Sequence, residues 1–258
     1  RIGSEAKIVA ITGSCGKTTL KEMIGSTLKK ISKTTYSQKS FNNKYGVPLS
    51  LFNIKKNDDF GIFEIGMNKK GEIDSLSKII KPDLGVITNI SYAHAKNFNS
   101  LEQIADAKSE IINNIKKNGS IVLNADDSFF FKHKKLALKK KLKIHSFSLN
   151  KKNKNVYIKK IFKLKNKFKI LVSINKKNKL FFINSIFESD LKNILASIAV
   201  ISIFKDVSKL NNNIFYSFKN PNGRGDISKI KIKRKIIKFV DESYNSNPLS
   251  LNFAIKNF

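Results

Sequence analysis

A glycine-rich turn close to the start of the chain constrains the fold more than any other feature. An apolar run of strand character, residues 7–12, stops at Gly13, and helical spacing of apolar residues begins at Thr18. A strand, a glycine loop and a helix in this order are typical of a phosphate-binding loop. Loop amides and the helix N terminus attract an anion, Lys17 supplies a mobile charge, and the Thr18 hydroxyl can ligate Mg²⁺. The sequence therefore predicts a nucleotide site that comprises Thr12, Gly13, Ser14, Cys15, Gly16, Lys17, Thr18 and Thr19.

Strand and helix patterns alternate over the first ~130 residues, which predicts a parallel α/β sheet. The predicted strands are 7–12, 60–66, 84–90 and 120–124, and the predicted helices are 18–30, 72–80, 100–115 and 190–204. Residues 32–45 are interpreted as a polar loop that returns into a short helix, and residues 227–240 as a hairpin or two strands. Short β-type runs between 143 and 183 predict antiparallel strands. The predicted fold class is α/β, a mostly parallel sheet of the P-loop type with helices on both faces and a small antiparallel flank.

Polar side chains at the strand ends support the phosphate loop, whose spacing is shorter than the common G-x-x-x-x-G-K-[ST] form. Thr12, Glu64 and Asn89 fall at carboxyl ends of predicted strands, where parallel sheets bind ligands, and His94 lies just beyond. A phosphate loop needs a nearby acid to hold Mg²⁺, and Glu64 is placed for that role. The alternative readings are a strand-end acid that faces solvent and a glycine-rich turn with an accidental lysine. The apolar run around Glu64 argues against the first, because an unpaired buried carboxylate is costly.

The composition bounds the class of protein. Hydrophobic residues make up 41% of the 258, which is enough for a sizeable core. Cys15 is the single cysteine, so no disulfide framework is expected and a reducing cytosol fits. No apolar run is long enough to span a membrane. The net charge of +31 would ordinarily suggest nucleic acid, but the joint richness in Lys, Asn, Ile and Phe is explained by an A/T-rich genome, so no nucleic-acid partner is required.

Several motifs together resemble the Mur ligases, the ATP-dependent amide-forming enzymes of peptidoglycan synthesis. The resemblance runs from Ile8 to Pro248, and its segments point to the branch that adds D-alanyl-D-alanine. Those segments are the phosphate loop, Phe41-Asn42-Asn43 with Gly46-Val47-Pro48-Leu49, Glu64-Ile65-Gly66-Met67-Asn68 with Gly71-Glu72-Ile73, Asn89-Ile90, Ala93-His94, Ala107-Lys108-Ser109-Glu110-Ile111, Leu123-Asn124-Ala125-Asp126-Asp127, and Asp241 with Ser243-Tyr244-Asn245-Ser246-Asn247-Pro248.

The resemblance implies a role for each matched position. Lys17 would hold the β- and γ-phosphates, Thr18 and Glu64 would share one Mg²⁺, and His94 would help to hold a second. Lys108 resembles the family lysine that CO₂ carbamylates, which turns a cation into an anionic metal ligand. The implied catalytic residues are thus Lys17, His94 and Lys108, and the implied nucleotide contacts outside the loop are Asn193, Arg224, Asp241, Tyr244 and Asn245. Ser189 and Asp190 stand where the family has a histidine and an asparagine.

The family also implies a domain plan and a reaction. We expect residues 1–222 to be the central ATP-binding domain and 223–258 to begin a Rossmann-like ligase domain, with the N-terminal UDP-sugar domain absent. The chain begins at Arg1 without Met and stops in mid-pattern, so an excerpt from a longer protein is expected.

The implied enzyme is a cytoplasmic monomer that uses ATP and two Mg²⁺ ions. It would join D-alanyl-D-alanine to UDP-N-acetylmuramoyl-tripeptide through an acyl phosphate. The alternatives left open are another Mur-type or folylpolyglutamate-type ligase and, from a different class, a nucleic-acid-binding P-loop ATPase.

Overall fold

The chain folds around one twisted sheet. The computed structural model describes residues 4–92, 97–165, 167–224, 226–233, 235–241, 243–244, 251 and 255. Within them the strands are β1 Lys7–Thr12, β2 Thr34–Tyr36, β3 Phe60–Glu64, β4 Leu84–Ile87, β5 Ser120–Asn124, β6 Lys143–Ser148, β7 Val156–Lys163, β8 Phe168–Ile174, β9 Lys177–Ile183, β10 Asp226–Ile232 and β11 Lys235–Asp241. The α-helices are α1 Lys17–Lys29, α2 Gly46–Phe52, α3 Glu72–Ile80, α4 Leu101–Ser109, α5 Phe130–Lys139 and α6 Glu188–Phe204. Short 3₁₀ helices cover Glu110–Asn114 and Val207–Lys209.

The nine-stranded sheet has the order β2-β3-β1-β4-β5-β6-β7-β8-β9. Its first six strands pair in parallel, whereas β7, β8 and β9 pair antiparallel to one another. β10 and β11 form a separate antiparallel pair. The predicted class, a mostly parallel α/β sheet with helices on both faces and an antiparallel flank, is confirmed.

The first strand of the 143–183 interval differs from expectation. β6 was expected to be antiparallel, yet it pairs in parallel with β5. The reason is α5, a lysine-rich helix absent from the sequence prediction, which connects β5 to β6 as a crossover and returns the chain in the same direction. β6 and β7 then pair over only two residues, Phe147 with Val156 and Ser148 with Tyr157. The prediction of 32–45 as a loop also missed β2, which pairs with β3.

Both faces of the sheet are covered, and this makes the central strands apolar throughout. All five residues of β3 and of β5 are buried. One hydrophobic cluster joins α1 and α6 to one face, and a second joins α2, α3, α4 and α5 to the other. This two-sided burial is the reason that the strands read as continuous apolar runs in the sequence. None of the helices within the described residues is long and apolar enough to cross a lipid bilayer.

Candidate active site

The phosphate loop between β1 and α1 depends on two glycines. Gly13 has φ +144° and Gly16 has φ +78°, both in the region that favours glycine. A Cβ added at Gly13 would lie 1.9 Å from the Thr88 hydroxyl oxygen, and one at Gly16 would lie 3.2 Å from the side-chain oxygen of Asn193. The loop thus packs tightly between the end of β4 and helix α6. No residue with a larger side chain fits these two positions without displacing a neighbour.

The residues that follow β4 hold the loop in place. The Asn89 side chain accepts from the Cys15 amide at 3.0 Å and donates to the Cys15 carbonyl oxygen at 3.1 Å. The Ser14 amide donates to the Asn89 carbonyl oxygen at 2.9 Å, and the Thr88 hydroxyl donates to the Cys15 carbonyl oxygen at 2.7 Å. The loop shape is therefore fixed by a neighbouring strand, which is the preorganisation that an anion site requires.

Lys17 is the first residue of α1, and its ammonium lies against its own loop. Its Nζ donates to the carbonyl oxygens of Gly13 at 2.9 Å and Ser14 at 3.2 Å. The positive end of the α1 dipole adds to this charge. Thr12 is different, because its hydroxyl is buried at the end of β1 and has no hydrogen-bond partner among the described residues.

Thr18 and Glu64 meet beneath the loop. The Thr18 hydroxyl donates to Oε2 of Glu64 at 2.6 Å, and the Asn42 side-chain amide donates to Oε1 of the same carboxylate at 2.7 Å. Mg²⁺ prefers oxygen ligands at about 2.0–2.1 Å, so two cis ligands of an octahedral ion lie roughly 2.9 Å apart. The hydroxyl and carboxylate oxygens have the chemistry of Mg²⁺ ligands, and the 2.6 Å hydrogen bond between them would open by about 0.3 Å to reach that spacing. The described residues contain no cluster of three His, Cys, Asp or Glu side chains.

Lys108 lies in the last turn of α4 and is only 1% exposed. Burial lowers the pKa of its amine well below the ordinary value, and the positive charge of Lys17 lowers it further, while Cys15 acts in the opposite direction. The lowered pKa favours the neutral form of this amine, which is its nucleophilic form. Such a group can react with an electrophile in a way that an exposed lysine ammonium cannot.

The site contains a cleft of about 1260 Å³ at the carboxyl ends of the strands, and neither Thr18 nor Lys108 is among its lining residues. Its walls include the phosphate loop, Glu64, the residues after β4, the end of β5 and the first turns of α6. Asn193 of α6 lines the cleft beside Gly16, and so does Asp190, whose pKa is raised by burial against the opposing effect of hydrogen bonds from Ser185 and Asn220. The cleft is large enough for a nucleotide and part of a second substrate.

Known proteins identify the architecture that carries this cleft. Residues 11–201 match the family model of the Mur ligase middle domain. The chain belongs to the Mur ligase family. The resemblance inferred from the motifs is thereby confirmed at the level of the family.

Several of the similar proteins carry the name of one Mur ligase branch. The chain is 32% identical over 256 residues to the UDP-N-acetylmuramoyl-tripeptide–D-alanyl-D-alanine ligase of Buchnera aphidicola subsp. Baizongia pistaciae, covering 98% of this chain and 54% of the relative. MurF from Acinetobacter baumannii superposes with a TM-score of 0.88 at 29% identity, over 98% of this chain and 54% of that one. MurF from Thermotoga maritima in complex with ADP superposes with a TM-score of 0.84 at 25% identity, over 98% of this chain and 57% of that one. The chain thus spans about half the length of the relatives it matches.

The remaining positions inferred from the Mur ligase resemblance divide into three groups. Arg224 and Tyr244 line the cleft, with the Arg224 guanidinium 4.2 Å from the centre of the Tyr244 ring. Asp241 ends β11, and the pKa of its carboxyl is lowered by hydrogen bonds from Ser243, first from the side chain and then from the amide, which lies 2.9 Å away. His94 and Asn245 lie outside the described residues.

Two residues at this Mur ligase site were not singled out from the sequence as site residues. Asn42 holds Glu64, and Thr88 holds the phosphate loop. Asn42 stands inside a quoted motif, so its position could have been found from the resemblance. Thr88 directly precedes Asn89 at a strand end, and nothing in its residue type distinguishes it from a structural threonine.

Proposed function

We propose that this chain is the nucleotide-binding part of an ATP-dependent ligase that adds D-alanyl-D-alanine to UDP-N-acetylmuramoyl-tripeptide in peptidoglycan precursor synthesis. The observation that carries the proposal is the Thr18–Glu64 oxygen pair next to a phosphate loop, with Glu64 lining a cleft that has room for two ligands. The choice of substrates rests on likeness to relatives that carry this name, one of them 32% identical over 98% of this chain.

The proposed chemistry assigns simple roles to the loop residues. ATP supplies a γ-phosphoryl group to the substrate carboxylate, the D-alanyl-D-alanine amine attacks the resulting acyl phosphate, and amide and phosphate are released. Lys17, the loop amides and the α1 N terminus would bind the phosphates and neutralise their charge. Thr18 and Glu64 would hold Mg²⁺, which supplies further charge neutralisation when bound. Asn89 and Thr88 would keep the loop in the binding shape. Catalysis in such a site is mostly positioning and electrostatics.

Lys108 is proposed to carry a carbamate. A neutral amine attacks CO₂ and loses a proton, which gives an anionic carbamate able to bind a cation. The lowered pKa of Lys108 supports this proposal, because it provides the neutral amine that the reaction needs. A second Mg²⁺ held by the carbamate and His94 extends the proposal. Asn193, Arg224, Asp241, Tyr244 and Asn245 are proposed nucleotide contacts.

The organisation of the whole enzyme belongs to the same proposal. Residues 1–222 would form the ATP-binding domain and residues 223–258 would begin the next domain. The separate β10–β11 sheet is consistent with a boundary near 223. Monomeric state and cytoplasmic location remain predictions.

The test is phosphate release by the full-length protein with Mg-ATP and UDP-N-acetylmuramoyl-tripeptide, with and without D-alanyl-D-alanine. We expect release that requires both substrates and is lost in Lys108→Ala but retained in Lys29→Ala, which changes an exposed lysine on α1. Release stimulated by another amine would favour a different ligase of the same scaffold. Release that ignores both substrates and rises with nucleic acid, with steep salt dependence, would contradict the proposal.

A further inference from the structure

Lys21 is a fully buried cation that the proposed chemistry does not use. It lies on α1, one turn after Thr18, and its side chain is 0% exposed. Its Nζ donates to the carbonyl oxygens of Ser37 and Lys39, both at 2.5 Å, and pairs with Oε1 of Glu22 at 2.8 Å. A lysine ammonium has three donors, so these three acceptors satisfy it completely. A buried charge is costly unless it is paired in this way, so the position demands an explanation beyond packing.

The two carbonyl acceptors belong to the segment that follows β2, residues 37–43, called here the 37–43 segment. Lys39, in the middle of this segment, has φ +46°, an uncommon conformation for a residue with a side chain. Such a conformation persists where the surrounding structure requires it. The carbonyl oxygen of Lys39 accepts a hydrogen bond from Lys21. The ammonium therefore holds the backbone at this turn.

The 37–43 segment leads directly to the metal site. Its Asn42 donates from its side chain to Oε1 of Glu64 at 2.7 Å, and the Asn42 carbonyl oxygen accepts from the Gly66 amide at 2.8 Å. The other carboxylate oxygen, Oε2, accepts from Thr18 on the same helix as Lys21. Glu64 is thus held from two sides, by α1 and by the 37–43 segment. Lys21 is the buried polar link between these two sides.

We propose that Lys21 is a positioning residue for Mg²⁺. It fixes the 37–43 segment against α1 and acts through Asn42 to orient the Glu64 carboxylate towards Thr18. The inference rests on the proposed function only in taking Thr18 and Glu64 as Mg²⁺ ligands. It does not depend on which substrate carboxylate or amine is joined.

The test measures Mg²⁺-dependent binding of a fluorescent ADP analogue to the full-length protein. Lys21→Met removes all three hydrogen bonds with little loss of apolar volume. Loss of a residue that orients a metal ligand typically weakens metal binding about 10–100-fold. We therefore expect the Mg²⁺ midpoint, the Mg²⁺ concentration at which half of the metal-dependent binding of the ADP analogue is reached, to rise by that factor. Nucleotide binding in EDTA should change less than about twofold. Lys29→Met, on the exposed part of the same helix, is the matched control and should leave the midpoint unchanged.

A double-mutant cycle separates positioning from a general structural effect. Asn42→Ala should raise the Mg²⁺ midpoint, and adding Lys21→Met to it should raise the midpoint little further, because both act on the same carboxylate. Amide hydrogen exchange across residues 37–43 in the metal-free protein should accelerate in Lys21→Met and not in Lys29→Met. An unchanged midpoint in a folded Lys21→Met, or effects that multiply in the double variant, would overturn the proposal. If Lys21→Met does not fold, Lys21→Gln, which can still donate to one carbonyl, is judged by the same criteria.

Failure of this inference can be told apart from failure of the proposed function. A wild-type protein that binds Mg-nucleotide but releases no phosphate with both substrates refutes the ligase assignment and leaves the Lys21 test intact. A wild-type protein that performs the ligation, with a Mg²⁺ midpoint insensitive to Lys21→Met, refutes only the positioning role.

Discussion

Replacing Lys108 by Met should change how the stability of the protein depends on pH. Lys108 is fully buried, and its pKa in the folded state is lowered well below 10.5 by burial first and by Lys17 second. Unfolding exposes the amine and restores a pKa of about 10.4. Between these two pKa values the folded protein holds a neutral amine and the unfolded chain binds one extra proton. The free energy of unfolding of the wild type therefore gains about 1.4 kcal/mol for each pH unit of increase from this group alone.

The assay is urea unfolding of wild type and Lys108→Met at several pH values below the ordinary lysine pKa, in buffers stripped of CO₂ so that no carbamate forms. Other titrating groups cancel when the two unfolding free energies are subtracted. The difference, wild type minus Lys108→Met, should rise with a slope of about 1.4 kcal/mol per pH unit inside the window and flatten below the folded-state pKa. Lys29→Met should give a curve parallel to that of the wild type.

Parallel plots of unfolding free energy against pH for wild type and Lys108→Met would refute the reasoning, because they would mean that the buried amine keeps its proton in the folded state. An internal check comes from Lys17→Met. Removing the Lys17 charge should raise the folded-state pKa of Lys108. The pH interval over which the unfolding free energy rises should therefore begin at a higher pH.

Three further predictions concern other parts of the site. Gly13→Ala should lower the free energy of urea unfolding by about 2–5 kcal/mol, because the added methyl group meets both a positive φ and the Thr88 side chain. Gly71→Ala, at φ +88° with nothing within 4 Å of the added Cβ, should lower it by only about 1 kcal/mol. Equal losses in the two variants would contradict the clash with Thr88. Glu110→Ala should lower the free energy of unfolding by about 1 kcal/mol, because the Glu110 carboxylate accepts hydrogen bonds from two backbone amides at the start of α3. A loss indistinguishable from zero would show that these two hydrogen bonds do not stabilise the helix start. Tyr244→Ala should raise the KM for ATP on the order of tenfold. The free energy of unfolding should change little, because Tyr244 is 55% exposed. An unchanged KM would remove Tyr244 from the proposed nucleotide contacts.

The sequence was most informative in segments where apolar residues formed a continuous run or followed a single helical spacing. The bounds of β1, α3 and β5 were predicted to the residue, because apolar runs or helical spacing there end at glycine, proline or polar residues. β2 was missed because three residues of mixed character, Thr34–Tyr36, carry almost no periodic signal. α5 was missed because its lysines mask the buried Phe130, His133 and Ala137.

The candidate site was predictable in its parts and less so in its connections. Strand ends brought Glu64 and Asn89 to the phosphate loop, as parallel topology requires. The burial of Lys21 could not be predicted, because two of its three partners are backbone carbonyl oxygens, which carry no residue type. A lysine in so lysine-rich a chain is indistinguishable by composition from its exposed neighbours. Only the fold shows which of them is enclosed.

Helix α6 determines when this chain can become stable during its synthesis. The apolar side of α1, with Leu20 and Ile24, packs in the same cluster as Ile194 and Ile198 of α6. The whole stretch from β2 to β9 is translated between these two helices. α1 also packs against β2 and β3, so in a nascent chain only the part of α1 that contacts α6 stays exposed to water until α6 has been made. Until then the exposed face of α1 is a binding surface for chaperones and a risk for aggregation, and slow translation before residue 188 would prolong both.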